Sequence, residues 1–309
     1  MDKEKIKQSF KPVKEIITTD IVAKNLAGET ELQKQFDNRK GPSVDGSPQI
    51  DYHVFSPVKS GGNTKYPVFI WLHGMGDGQC FREPLRRWPI ANYASTEYQA
   101  KFNNGGAYIV VPRANEDLGM MATGDYYFYT KSWISGEDFD KDYPPQPQVP
   151  ELTAAIRQFL DEERANVDLS RVYLAGYSAG GYMTWQTLLA MPDVFAAAAP
   201  ICHARIIPTQ EQLQTVMHVP LWVICGEKDH LYESYVAPSI QNLRKIHPEL
   251  RTTIFENVYN PDYSLAANQH TSWVPVTNDM FYNDGKPYDK NYPQGFITWL
   301  NSHTNRRHV

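Results

Sequence analysis

Runs of consecutive apolar residues, rather than strict alternation, mark the middle of this chain. Residues 67–72 read Pro-Val-Phe-Ile-Trp-Leu, 107–111 Ala-Tyr-Ile-Val-Val, 172–175 Val-Tyr-Leu-Ala, and 221–225 Leu-Trp-Val-Ile-Cys, with four alanines at 196–199. A strand that is apolar on both faces is covered on both faces, as central parallel strands are. Residues 50–55 alternate like a half-buried strand, and 252–256 predict one more. Helices fall between: 150–164, with Pro150 at its first turn and Leu152, Ile156, Phe159 and Leu160 on one face, then 179–190, 235–247 and 296–302. Strands alternating with helices predict an α/β fold with a mostly parallel sheet wrapped on both sides.

Two segments break that rhythm. Residues 1–48 are polar and mixed in charge and end in Gly, Pro and Ser, which reads as an N-terminal extension or edge element ahead of a domain at 49–309. Residues 114–148 carry Tyr126, Tyr127, Phe128, Tyr129, Trp133 and a proline cluster without a period, and are expected to form a lid or pocket wall.

Composition narrows the function classes. With 309 residues, 41% hydrophobic and 21% charged, and 30 Lys+Arg against 35 Asp+Glu for a net charge of −5, the chain is that of a globular protein rather than a disordered one. No basic stripe invites nucleic acid, and the longest apolar run, 195–202, falls well short of the roughly 18 residues that span a bilayer. The charge-mixed N-terminus, with no apolar stretch behind it, leads to the expectation of a cytoplasmic protein. Cys80, Cys202 and Cys225 are too few for a disulfide framework, lack metal-ligand spacing and read as core thiols. His73 and Asp77 share a Gly-rich loop and make a weak metal pair. Neither a metal nor a cofactor is expected. A homo-oligomer stays open.

The chemistry centres on Gly176-Tyr177-Ser178-Ala179-Gly180, a GxSxG run between an apolar strand and a helix. A nucleophile on so tight a turn leaves no room for bulky neighbours two positions to either side. A serine hydroxyl needs a base, and the base an orienting acid. Downstream, Asp229 follows the strand at 221–225, and His270 follows the strand at 252–256 and a loop, in the order Ser, Asp, His. Glu227 and Asp262 read as turn residues, His230 sits too close to Asp229 to link it to a third group, and His247 reads as a helix-end residue.

Acyl chemistry also needs two N–H donors for a developing oxyanion. Ala179 is one candidate and Met75, in the Gly-rich loop after the strand at 67–72, the other, with Gly74 or Gly76 as its substitute. In that loop the glycines are expected to keep the backbone close to substrate, and His73 reads as a loop-organising hydrogen bonder. The GxGxG run has the wrong spacing for a dinucleotide site. His73, Gly74, Tyr177, Trp133, Arg113 and His203 are the candidate pocket residues; Arg113 and Arg205 follow strands and are expected at the site mouth, where a guanidinium can bind a carboxylate, and the late tyrosines Tyr282, Tyr288 and Tyr292 are further wall elements. Aromatic walls suit a phenolic acid or a sugar ring.

Five ordered segments carry a family likeness: 66–76, ending in Leu72-His73-Gly74-Met75-Gly76, then Val111-Pro112-Arg113, 168–181 around the GxSxG turn, 192–200 with 219–229, and His270-Thr271-Ser272-Trp273. From residue 50 onward the chain resembles the α/β-hydrolase superfamily, and more narrowly the esterases that include polyhydroxybutyrate-depolymerase-like and feruloyl-esterase-like enzymes, with prolyl-oligopeptidase-type domains as relatives. The resemblance implies the α/β-hydrolase fold, a Ser178–His270–Asp229 triad and hydrolysis of a small-molecule carboxylic ester through an acyl-enzyme, with feruloyl and acetyl esters as substrate expectations. Residues 1–48 and 114–148 lie outside it. A serine peptidase acting on small peptides and a non-catalytic ligand binder are the alternatives.

Overall fold

The computed structural model describes residues 30–58, 63–78, 83–86, 89–120, 127–131, 133, 148–247, 250–260, 264–278, 282–283, 286–287 and 295–308. Cys80, Asp262, Tyr126, Tyr288, Tyr292 and most of the 114–148 insertion lie outside the described residues. The strands among the described residues are β1 Asp37–Lys40, β2 Asp51–Phe55, β3 Tyr66–Leu72, β4 Tyr108–Pro112, β5 Asp117–Met120, β6 Tyr127–Lys131, β7 Val167–Tyr177, β8 Ala197–Ile201, β9 Leu221–Gly226 and β10 Leu250–Phe255, with a short antiparallel pair, β11 Tyr282–Asn283 and β12 Lys286–Pro287, near the C-terminus. An eight-stranded sheet runs in the order β1-β2-β4-β3-β7-β8-β9-β10. It is antiparallel across β1/β2 and β2/β4 and parallel from β4 through β10. This is the α/β-hydrolase architecture.

Every residue of β3, β4, β8 and β9 is buried, which is why their sequences are apolar without alternation. The helices that cover them are α1 Gln148–Glu162, α2 Ala179–Ala190, α3 Gln210–Val216, α4 Ala237–Arg244, α5 Trp273–Thr277 and α6 Phe296–Asn301. Leu152, Ile156, Phe159 and Leu160 of α1 are all buried. Thr209 opens α3 with a reciprocal capping box to Gln212. Among the described residues no helix is long and apolar enough to cross a membrane.

Three features depart from the sequence pattern. β1, in the segment read as an extension or edge element, is an outermost strand of the sheet, although its Asp-Asn-Arg-Lys run has no apolar face. β5 and β6 pair within the insertion. The helix expected at 235–247 is shortened to α4 because a wider π turn, Tyr232–Val236, precedes it and Pro238 fixes its start.

A parallel sheet ends all its strands on one edge, so the segments after β3, β4, β7, β8, β9 and β10 gather there. β7 lies between β3 and β8, and its last residue passes directly into Ser178 and α2. The junction is steric. A Cβ at Gly180 would stand 2.1 Å from the Leu72 carbonyl oxygen and 2.5 Å from that of His73, and one at Gly176 would stand 2.5 Å from the Gly180 carbonyl oxygen. Two bare glycines let the start of α2 settle on the end of β3.

Helix propensity alone makes Gly180→Ala stabilising by about 0.8–1 kcal/mol, whereas the clash is with main chain that cannot rotate away. We expect the clash to win and Gly180→Ala to be destabilised by about 1–3 kcal/mol, read as a lower urea midpoint at unchanged m-value; a midpoint at or above that of the parent chain contradicts this packing.

Candidate active site

Ser178 occupies a backbone conformation that L-residues rarely adopt, φ 55° and ψ −118°. The strain is held on both sides: Ser178 N–H donates to the Ile201 carbonyl (3.0 Å), and its own carbonyl accepts from Tyr182 (3.0 Å) and Ala204 (3.3 Å). Cys202 and Arg205, in the segment after β8, also have positive φ, 36° and 55°. The turn lifts the Ser178 side chain off the sheet edge at the positive end of α2.

The structure brings Ser178, His270 and Asp229 together from three separate strand ends. His270 Nε2 lies 2.9 Å from Ser178 Oγ, and Nδ1 lies 2.8 Å from Asp229 Oδ2. A carboxylate can only accept, so Nδ1 carries the proton and Nε2 is left to accept from the serine hydroxyl. Asp229 is 5% exposed. Its Oδ1 accepts from the Leu231 N–H at 2.9 Å, and the Cys225 thiol donates to Oδ2 at 3.5 Å. Burial and then the Asp229 charge push the Cys225 thiol well above its ordinary range, so it stays protonated and remains a donor. Cys202 and Cys225 are both buried and free, and Cys80 falls outside the described residues.

Opposing effects act on the His270 imidazole. Burial lowers its pKa, but the Cys202 sulfur, the hydrogen bond to Asp229 and the Asp229 charge outweigh this and raise it above the ordinary imidazole value. His230 packs against His270 with ring centroids 4.8 Å apart and its Nδ1 3.4 Å from Asp229 Oδ1. Burial, then repulsion from His270, lowers the His230 pKa. Cys202 Sγ, a carboxylate oxygen of Asp229 and a ring nitrogen of His270 lie within 4.8 Å of one another. A cation there would have to displace the proton that His270 shares with Asp229.

The loop after β3 faces Ser178 across the glycine junction and is braced throughout. His73 Nε2 accepts from the Ala114 N–H (2.9 Å), so its Nδ1–H donates to the Gly74 carbonyl (2.7 Å). Burial drops its pKa to about 3, so it is a neutral strut and not an acid or base. Asp77 accepts a hydrogen bond from the Tyr177 hydroxyl. Glu116, 8% exposed, accepts from Gly76 N–H with both oxygens (3.1 Å each) and from Gly78 N–H (2.7 Å). Arg113 donates to the Gly78 carbonyl (2.8 Å) and to Asp51 (3.0 Å). Among the described residues no hydrogen-bond acceptor occupies the Met75 N–H. Ala179 opens α2, where N–H groups have no carbonyl ahead of them in the helix.

Several candidate pocket residues prove to be structural. His73, Trp133 and His203 are each 0% exposed and Tyr177 is 2%. Trp133 packs on His73, and His203 Nε2 pairs with the Ser239 hydroxyl. The Tyr177 ring fills the space that a Cβ at Gly74 would need and stacks on Trp273 at 4.1 Å, whose edge meets His270. Arg113 is engaged by the Gly78 carbonyl and by Asp51 of β2. Gly74 and Gly78 make room for the protein's own groups, with Tyr177 against Gly74 and Ala114 and Glu116 against Gly78. His247 is buried with Nε2 on the Val219 carbonyl. Sequence reasoning missed Glu116, and it left the Asp77–Tyr177 bond and Trp273 without roles. Their partners lie far away in the chain, so no local pattern marks them.

The sequence pattern of the phospholipase/carboxylesterase family matches residues 54–270. The chain belongs to that family. Among curated relatives of this carboxylesterase-family chain, poly(3-hydroxyalkanoate) depolymerase C of Paucimonas lemoignei is 29% identical over 48% of this chain and 30% of its own length. The bifunctional acetylxylan esterase/xylanase of Neocallimastix patriciarum is 24% identical over 75% of this chain and 29% of its own. The chain thus spans about 30% of the length of either relative. In fold it is similar to a thermostable esterase (TM-score 0.64, 21% identity, 88% of this chain and 64% of that one). It is also similar to the acylaminoacyl peptidase of Pyrococcus horikoshii (TM-score 0.51, 18% identity, 84% and 44%).

The electrostatics of the carboxylesterase-family site yield a direct check. In a Ser178→Ala background, the His270 ring should titrate above the ordinary imidazole value of about 6.5, and adding Asp229→Asn should move that titration down. NMR of the ring protons reads both; an unchanged titration in the double variant removes Asp229 as its partner.

Proposed function

We propose that this chain hydrolyses carboxylic esters through a serine acyl-enzyme. The observation that carries the reading is His270, one nitrogen facing the Ser178 hydroxyl and the other the buried Asp229 carboxylate. Ser178 Oγ attacks the acyl carbon as its proton passes to His270 Nε2. The carbonyl oxygen becomes an oxyanion, bound by the Ala179 and Met75 N–H groups. Asp229 holds the ring and favours the imidazolium that forms. Collapse of the tetrahedral species breaks the ester C–O bond, and His270 returns the proton to the leaving alcohol. Water, deprotonated by His270, then attacks the acyl-enzyme, and the second collapse releases the acid and restores the Ser178 hydroxyl.

Family membership supports ester cleavage, and the two curated relatives bear the names of a polyester depolymerase and an acetylxylan esterase. A short acyl group such as acetyl, on a sugar or aryl alcohol, is the substrate class we favour. The feruloyl expectation leaned on aromatic walls. Of those, Trp133 and Tyr177 pack inward, and Tyr288 and Tyr292 fall outside the described residues.

The test is an ester panel running from acetyl through butyryl to feruloyl, with chromogenic amides as a second arm. Acetyl esters should be turned over fastest, and Ser178→Ala should lose ~10⁴-fold or more of kcat together with labelling by a fluorophosphonate. Faster cleavage of amides than of esters would assign a peptidase instead. Comparable turnover by Ser178→Ala would end the acyl-enzyme scheme.

A further inference from the structure

The loop after β3 contains several main-chain N–H groups within a few residues of one another: those of Gly76 and Gly78 are held by Glu116, and among the described residues no acceptor holds that of Met75. We propose that Glu116 is a positioning residue that selects the oxyanion donor: its carboxylate ties down the N–H groups of Gly76 and Gly78 and leaves that of Met75 to face the reacting carbonyl. The inference rests on the serine-hydrolase reading and adds a residue to it.

Topology explains why Glu116 is available. β4 runs parallel to β3 at its side, so the segment that follows Pro112 emerges next to the segment that follows Leu72. The two segments are joined by Ala114 N–H to His73, by Arg113 to the Gly78 carbonyl, and by three contacts from the Glu116 carboxylate, at 3.1, 3.1 and 2.7 Å. Glycine at both positions follows from this hold. Gly76 has φ 96°, open to glycine at little cost. A Cβ at Gly78 would stand 3.0 Å from Glu116 Cγ and Cδ and 2.5 Å from the Ala114 carbonyl oxygen. On the opposite side Asp77 is held by Tyr177, the residue before Ser178, which references the loop to the nucleophile. A buried carboxylate that accepts N–H bonds is well placed to fix a peptide plane, because charge-assisted bonds are about twice as strong as neutral ones. Released from Glu116, the Gly76 and Gly78 peptides can rotate and carry the Met75 peptide with them.

The experiment compares Glu116→Gln, Glu116→Ala and Glu116→Asp in the full chain. Glutamine keeps the volume but sets an amide donor against an N–H. Acetyl-ester kcat and the fluorophosphonate labelling rate should fall together in Glu116→Ala by about 10²-fold, the loss typical of an oxyanion donor, with KM near the parent value. Glu116→Gln should fall partway, and Glu116→Asp should retain the most activity. Amide exchange at Gly76 and Gly78 reads the hold without relying on activity: protected in the parent, faster in the glutamine and alanine variants. Parent-like kcat in a variant whose exchange has quickened overturns the proposal, as does unchanged exchange. If the parent itself hydrolyses no ester and resists the fluorophosphonate, the serine-hydrolase reading fails, while the exchange result still decides whether Glu116 holds the loop.

Discussion

Everything at the edge of this sheet depends on how closely two backbones approach, the end of β3 and the first turn of α2. With no side chain at Gly176 or Gly180, the carbonyl oxygens of Leu72, His73 and Gly180 occupy the positions that β-carbons would claim. That contact sets the distance between the nucleophile turn and the loop facing it. It also makes the strain at Ser178 sustainable, since the turn is clamped by β8 through Ile201 and by its own helix through Tyr182. A left-handed serine costs of order 1–3 kcal/mol, a cost offset by the hydrogen bonds and packing that a relaxed turn would forfeit.

Tyr177 extends the constraint to all three parts of the site. Its hydroxyl reaches Asp77, its ring lies on Gly74, and its face stacks on Trp273, whose edge contacts His270. Each aromatic pair adds about 0.5–1.5 kcal/mol beyond area burial. More important is rigidity. Tyr177 neighbours Ser178 in the chain, so the loop carrying Met75 and the loop carrying His270 are both positioned relative to the serine by one buried residue. A sequence reading places such a tyrosine in the pocket, since it flanks a nucleophile, yet its 2% exposure shows that it faces the core.

What was legible in the sequence follows from the range of each interaction. β3, β4, β8 and β9 could be read because burial on both faces leaves an unbroken apolar run, and the GxSxG turn could be read because its steric demand falls on residues two positions apart. β1 could not be read as a strand, because it closes its hydrogen bonds through the main chain and its side chains pair singly with distant partners, Asn38 with His53 and Arg39 with Glu163, which leaves no period in the sequence. Glu116 could not, because its two partners lie about forty residues away on a neighbouring strand end. An acidic residue after a strand has no periodicity to betray it. Asp229 and His270 were reachable only through the fixed chain order of one fold, since nothing local in Gln269-His270-Thr271 distinguishes that histidine from His230.

The surroundings of Asp229 bear on how such a site manages charge. A carboxylate that is 5% exposed would ordinarily be costly, and here it is met by the Leu231 N–H, the Cys225 thiol and the His270 ring. A full cationic partner such as arginine would satisfy it as well, but would cancel the field that raises the His270 pKa. Neutral donors stabilise the charge without consuming it. The ring therefore remains the group best placed to become cationic, as it must when the serine proton arrives. His230, solvated on its outer side and depressed by burial, adds little opposing charge near neutral pH. The pairing of a buried acid with weak neutral donors thus keeps the electrostatic pull directed along one line, from Asp229 through His270 to Ser178.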